Sequence, residues 1–277
     1  MTERPPSSDV STRAPERGSR SCIFCGGQPV TKEHVWPRWA QAVVPTDFVP
    51  FEQIIEVDGH PKVEHCRNTR PFTETARIVC RPCNNGWMAQ LESLAKSILV
   101  PMLAGEPAVL DQERQRVLAT WALKTAIIVD HAQRPPWKPT SMPAEYRHIA
   151  QTSSPSNNVA VWLASSLEPP LYRSRLWGTN LRLAALTSER ETAVYGAALM
   201  FGPICLQVFY STAPGLVDAY SLDGRPAITM IWPYQGPFDW IERESFNEEG
   251  LAEYVSALPA LLRSVVGGSA DQTARSA

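Results

Sequence analysis

The sequence lacks a strong excess of charge of either sign. Its 277 residues include 26 Lys and Arg and 28 Asp and Glu, which gives a net charge of −2. Domains that coat nucleic acid usually carry a marked basic excess, so the composition counts mildly against binding of nucleic acid through overall charge. The charge is unevenly spread, because residues 20–100 have a net charge of +1 and residues 101–277 one of −3.

Long apolar runs are also absent. The charge-free stretch 194–217 contains Gly202, Pro203 and Pro214, and it predicts two strands joined by a turn rather than a membrane span of about 20 apolar residues. Residues 1–20 are rich in Pro, Ser, Thr and Arg and contain no apolar leader. We therefore expect a disordered tail, no signal peptide, no membrane partner and a cytoplasmic protein. The oligomeric state stays open.

Two Cys-x-x-Cys pairs are the most specific feature that is present. Cys22 and Cys25 form the first pair, and Cys80 and Cys83 form the second. Together they supply four thiolates, the ligand set of a closed tetrahedral Zn²⁺ site, which is structural because no coordination position stays open. A disulfide framework is the alternative, but it requires a secreted chain.

The apolar pattern predicts an α+β chain. Strands are expected over 51–57, 62–65, 77–79, 159–163, 181–186, 193–200, 204–210 and 228–232, and helices over 38–44, from 84 onward, and over 111–131, 145–149 and 247–265. Asn84 or Asn85 would cap the second of these helices and Asp111 the third. The third helix has two wide apolar faces, which predicts that it is buried in a core.

Glu33 and His34 are the candidate catalytic residues, and they lie between the two cysteine pairs. Pro37 disfavours helix just before it, so we expect His34 on a strand or an extended turn. Neighbouring strand residues point to opposite sides, which would let one hold a metal ion and the other a water. Asn84 directly follows Cys83 and would add an amide oxygen, and such oxygen ligands suit Mg²⁺.

This order of residues resembles the zinc-containing HNH endonucleases. The shared pattern over residues 21–96 is Cys-x-x-Cys, then Glu33-His34 followed by Pro37, then Cys-x-x-Cys-Asn leading into a helix. The resemblance implies a ββα-metal core, one divalent cation and hydrolysis of DNA phosphodiester bonds. His34 would then be the general base, and Glu33 and Asn84 would bind a catalytic Mg²⁺ or Mn²⁺.

The chain departs from this family at one catalytic position. The family usually has an Asn five residues before the third cysteine, and this chain has Thr75 there. The Thr75 hydroxyl would orient His34 less well than an amide does. Asn68 is the nearest upstream Asn, but its spacing differs.

The expected organisation has four parts: a disordered tail over 1–20, an HNH-like domain over 21–104, a second domain over 105–268 and another tail over 269–277. The expected fold class is α+β, with an N-terminal ββα-metal zinc-knuckle domain. A mixed α+β domain with an antiparallel sheet and flanking helices follows it.

Two other functions stay open. One is a zinc-containing module that binds nucleic acid or acts as an adaptor without catalysis, which Thr75 and the acidic balance suggest. The other is a scaffold whose second domain binds a protein or small ligand. Residues 105–268 contain no phosphate-binding loop, Gly-x-Ser-x-Gly motif or dinucleotide fingerprint that would identify such a ligand.

Several residues also have an ordinary structural explanation. Asn84 and Asn85 would serve as plain helix caps, and His34 as a surface or core histidine. The tryptophans Trp36, Trp39 and Trp87 would pack around the cysteines, and Cys205 would be a buried apolar residue. The remaining open cases are Cys66 as a minor metal candidate, Asp130-His131 as a second acid–His pair, and a phosphate-contacting or merely solvated group at Arg67, Arg70, Arg77 and Arg81.

Overall fold

The structure is a computed structural model, and it describes residues 20–43, 51–57, 60–67, 75–132, 139, 142–165, 173–181, 192–213, 215–219, 228–240, 245 and 250. Helices and mainly antiparallel sheets are combined in these ranges, which confirms the predicted α+β class. None of the helices in this part of the chain has both the length and the apolar content needed to cross a bilayer.

A two-stranded antiparallel sheet near the N-terminus leads directly into a helix. β1 (Val30–His34) pairs with β4 (Thr75–Cys80), and α1 (Arg81–Cys83) follows β4 without a loop. A π-helical turn (Asn84–Met88), kinked at Gly86 where the backbone angles are not helical, leads into α2 (Ala89–Leu103). The two strands and the helix therefore bring both cysteine pairs and residues 33 and 34 into one small N-terminal unit of residues 20–43 and 75–103.

The start of this helix differs from the prediction. Cys80 has extended backbone angles at the N-cap position, and Asn84 lies inside the helix. The prediction that Asn84 or Asn85 caps the helix is therefore wrong. Pro82 provides the physical reason, since proline is favoured in a first helical turn, where its fixed φ suits the helix and no N–H bond is lost.

A seven-stranded sheet forms the largest layer. Its strands, in chain order, are β2 (Phe51–Val57), β3 (His60–Arg67), β6 (Val159–Ser165), β7 (Arg173–Leu181), β8 (Thr192–Phe201), β9 (Ile204–Ser211) and β10 (Ile228–Trp232). The spatial order is β10-β6-β9-β8-β7-β2-β3, and only the β2–β7 pair is parallel. The β2–β3 hairpin lies between the cysteine pairs in sequence, yet it extends this sheet.

The helix α3 (Gln112–Ala132) is buried, as predicted from its two apolar faces. The Oδ1 of Asp111 accepts a hydrogen bond from the backbone N–H of Arg114 at 2.9 Å, which confirms the predicted N-cap. The helix contacts α2 and β4 as well as strands of the large sheet. One of these contacts is a hydrogen bond of 2.9 Å from the Tyr195 hydroxyl to the carbonyl of Ala126.

One apolar core extends through the described residues. It includes Phe24 and Trp36 beside the cysteines, residues of α2 and α3, and sheet residues such as Leu206. The boundary predicted near residue 105 falls within this core, and the division into two domains stays a prediction. Because residues on both sides of position 105 are buried in the same core, α3 packs against the N-terminal unit.

Most of the other predicted elements are confirmed, with small shifts at their ends. The remaining described elements are a 3₁₀ helix (Arg38–Ala42), β5 (Val109–Leu110), α4 (Pro143–Thr152), α5 (Leu216–Ala219) and β11 (Phe238–Asp239). The predicted strand over 181–186 and the closing helix over 247–265 lie almost entirely outside the described residues, as do the tails over 1–20 and 269–277. The strand β7 was not predicted, because Arg173 and Arg175 interrupt its apolar pattern.

Candidate metal centre and adjoining polar cluster

Four cysteine sulphurs form one cluster. The Sγ atoms of Cys22, Cys25, Cys80 and Cys83 all lie within 4.8 Å of one another. The sulphurs of Cys25 and Cys80 are 3.4 Å apart, which is too far for a disulfide bond of about 2.05 Å. Zn–S bonds of about 2.3 Å in a tetrahedron place sulphurs roughly 3.8 Å apart. The cluster therefore has the dimensions of a four-thiolate zinc site.

Two glycines shape the first cysteine turn. The backbone N–H of Cys22 donates to the carbonyl of Gly27 at 2.9 Å, and that of Gly26 donates to the carbonyl of Cys22 at 2.8 Å. Gly26 has a φ of +74°, which favours glycine. A Cβ on Gly27 would lie 3.2 Å from the sulphur of Cys25 and 3.5 Å from that of Cys80. Glycine at this position lets the backbone approach both sulphurs.

The second cysteine pair lies where β4 becomes a helix. Cys80 ends the strand and Cys83 lies in the first helical turn, and both are buried. The Phe24 ring meets the Trp87 ring edge-on, with centroids 5.2 Å apart. Trp36 is fully buried. Trp87 thus packs against the first cysteine turn, whereas Trp39 hydrogen-bonds Glu92, and packing of Trp36 and Trp39 around the cysteines stays a prediction.

Ionisation of the four thiols would be coupled to binding of a cation. Burial raises the pKa of Cys80 and Cys83, whereas a backbone N–H from Gly27 lowers the pKa of Cys25. Four thiolates at these separations repel one another, and a divalent cation offsets that repulsion. The four cysteines can hold a metal ion such as zinc.

Asn84 reaches from the helix back to β1. Its Nδ2 donates to the hydroxyl of Thr31 and the carbonyl of Lys32, each at 3.3 Å. Glu33 is buried. Burial raises the pKa of Glu33, while the charge of Lys124 opposes that shift. The structure thus brings the Asn84 side chain to β1 at the residue that precedes Glu33.

His34 lies at the end of β1, directly opposite Thr75 on β4. Glu33 faces inward and His34 is partly exposed, as the alternation of a strand requires. Burial, and then the charges of Arg38 and Lys32, lower the pKa of His34. Among the described residues, only the cysteines form a group of three or more converging ligand atoms. His34 therefore belongs to no such group, and its neighbour across the two-stranded sheet is Thr75.

An ion pair between Lys124 and Glu92 lies close to Glu33. The side chain of Lys124 in α3 is 1% exposed and pairs with Glu92 of α2. Glu92 also accepts hydrogen bonds from the indole N–H groups of Trp39 and Trp121, each at 3.1 Å. This network joins the 3₁₀ helix, α2 and α3 next to β1. The sequence analysis did not identify it, although a lysine among the apolar positions of α3 was the available indication.

Substitution of Lys124 by Met is expected to lower the free energy of unfolding by about 3 kcal/mol. The change leaves Glu92 and Glu33 without their cation, and breaking a buried ion pair on one side is strongly destabilising. Urea unfolding followed by circular dichroism measures the loss. Lys96→Met, on the exposed side of α2, is the matched control and should change little. Equal stabilities for the two variants would contradict the role given to the ion pair.

The surroundings of the other candidate residues indicate a structural role. Burial lowers the pKa of His131 to about 4, and its Nε2 lies 3.0 Å from the hydroxyl of Tyr146. Asp130 and Cys205 are fully buried, which confirms the prediction for the cysteine. The side chains of Cys66 and Arg67, and the whole of Arg70, lie outside the described residues. The acid–His pair at the end of α3 therefore belongs to the core.

Comparisons with protein-family models, with curated proteins and with solved structures found no match to this chain.

Proposed function

We propose that this protein is an HNH-type metal-dependent endonuclease that hydrolyses phosphodiester bonds of DNA. The observation that carries the proposal is that Asn84, which follows a cysteine ligand, hydrogen-bonds β1 at Lys32, the residue before Glu33. The cysteine cluster joins the two chain segments that carry these side chains. The four unpaired thiols of the cluster suit a reducing cytoplasm.

His34 is the general base in this proposal. Its lowered pKa keeps the imidazole neutral at pH 7, and a neutral imidazole can accept a proton from the attacking water. The partly exposed position of the ring leaves room for water and substrate. Thr75 lies directly opposite on the neighbouring strand and is the residue that would orient the ring.

Glu33 and Asn84 are the residues that would hold a catalytic Mg²⁺ or Mn²⁺, because carboxylate and amide oxygens are suitable ligands for hard cations. Such a cation stabilises the charge that develops on phosphate and on the leaving oxygen. The side-chain nitrogen of Asn84 donates to β1, so the amide is held in one orientation.

A nucleic-acid-binding or adaptor module without catalysis is the second candidate, and a specific observation favours it. The charge of Lys124 acts on the carboxylate of Glu33, and a cation there competes electrostatically with a divalent metal ion. Thr75 in place of the family's Asn favours the same alternative. The two candidates differ in whether DNA is cut.

The experiment is plasmid cleavage by the purified full-length protein. With Mg²⁺ or Mn²⁺ added, supercoiled plasmid should convert to nicked or linear DNA, and without added cation it should stay supercoiled. No conversion with either cation would overturn the nuclease. Retention of plasmid in a salt-dependent gel shift without cutting would instead support the binding module.

A further inference from the structure

Charge in the N-terminal unit is divided between surface and interior. Within residues 20–43 and 75–103, the described carboxylates are Glu33, which is buried, and Glu92, which is occupied by its ion pair and two indoles. The described cationic side chains are all exposed, and they are Arg20, Lys32, Arg38, Arg77, Arg81 and Lys96. Among the described side chains of this unit, six exposed cations therefore face no exposed carboxylate, and this part of the surface is basic.

Lys124 supplies a positive charge to the interior carboxylates. It comes from α3, outside the N-terminal unit in sequence, and its charge acts on both Glu92 and Glu33. Lys124 thus balances one of the two interior carboxylate charges, so these carboxylates offset only part of the positive potential outside. The net charge of −2 for the whole chain consequently understates the potential at this surface.

Three of the exposed cations lie on the elements next to His34, namely β1, β4 and the 3₁₀ helix. Lys32 precedes it by two positions on β1, so both side chains project from the same side of the strand. Arg77 lies on β4 opposite the bulge between residues 31 and 33, and it is exposed as Lys32 is. Arg38 begins the 3₁₀ helix, and its charge acts on the ring of His34.

We propose that Lys32, Arg38 and Arg77 form a phosphate-binding surface that holds the backbone of duplex DNA across His34. This inference rests on the proposed action on DNA and adds the residues that position the substrate. Lysine and arginine side chains bind phosphate oxygens and release condensed counterions, so they set the affinity without reading sequence. A duplex held on both sides of the imidazole would present a backbone phosphate to it.

The test is binding of a fluorescently labelled DNA duplex, measured by anisotropy over a range of salt concentrations without added Mg²⁺ or Mn²⁺. Lys32→Gln, Arg38→Gln and Arg77→Gln are compared singly and together with the wild-type protein. Each loss of a phosphate contact should reduce the slope of log K against log salt by about 0.9, and the triple variant by roughly 3. Arg147→Gln, an exposed arginine on α4, is the matched control and should keep the wild-type slope.

The outcomes separate this surface from the proposed catalysis. Reduced slopes in the three variants, with an unchanged control, support the surface even where the wild-type protein cuts no plasmid. An unchanged slope in the single and triple variants overturns the surface even where plasmid is cut. An equal loss in Arg147→Gln, or no binding by the wild-type protein at low salt, also overturns it. Zinc content and thermal midpoint, measured for every variant, verify that the exposed substitutions leave the fold intact.

Discussion

Cys83→Ser is expected to lose bound zinc and to destabilise the N-terminal unit by more than about 5 kcal/mol. The Cys83 thiol is buried beside the other three sulphurs, so its removal opens a site that needs four ligands. Binding of structural zinc contributes about 10–16 kcal/mol to the folding of small zinc-finger peptides. The loss here should be smaller, because β4 and α2 also pack against α3. Thermal unfolding with and without a zinc chelator measures the effect.

The control for this prediction is Cys205→Ala. Cys205 is fully buried but lies outside the cluster, so its truncation should cost about 1–2 kcal/mol and leave the zinc in place. A chelator should lower the midpoint of the wild-type protein and of this control, while Cys83→Ser should not respond to it. A Cys83→Ser protein with the wild-type midpoint and full zinc would contradict the structural role of the cluster.

His34→Ala is expected to reduce plasmid cleavage by about 10²–10⁴-fold while leaving fold and zinc content unchanged. General-base assistance typically contributes a factor of that size. The His34 ring is partly exposed at the end of β1, so its removal opens no cavity in the core. Initial rates of loss of supercoiled plasmid, at saturating Mg²⁺ or Mn²⁺, give the ratio between variant and wild type.

His148→Ala is the matched control for that experiment. His148 is a partly exposed histidine on α4, remote in sequence from the cysteine cluster, and its substitution should leave the cleavage rate unchanged. The assignment of His34 is wrong if His34→Ala cuts as fast as the wild-type protein. A His34→Ala protein that has lost its zinc would show a folding defect, and His34→Gln, with a side chain of similar length, then repeats the test.

The cysteine cluster was the most predictable part of the structure. Cys-x-x-Cys spacing places two thiols on the same side of a turn. Because four thiols are needed to bind one metal ion, the two turns must lie next to each other. The contact of Asn84 with β1 follows from this constraint, since Asn84 and β1 lie next to the joined segments. The opposite orientations of Glu33 and His34 follow from strand alternation alone.

Interactions that depend on distant parts of the chain were not predictable in the same way. Asn84 has good capping chemistry, but the first-turn proline at position 82 moved the helix start upstream and left the side chain free to reach β1. The pairing of β2 with β7 and the ion pair of Lys124 with Glu92 join segments that no local pattern relates. Local patterns give elements and faces, while such contacts arise only once the layers have packed.

The central claim is that four cysteine sulphurs hold one zinc ion and so join the β1–β4 sheet to the helix that carries Asn84. Zinc-edge X-ray absorption of the purified full-length protein, combined with elemental analysis, tests it most directly. The structure predicts one zinc per chain with four sulphur ligands at about 2.3 Å. Nitrogen or oxygen ligands in place of sulphur, or protein that folds fully without zinc, would contradict it.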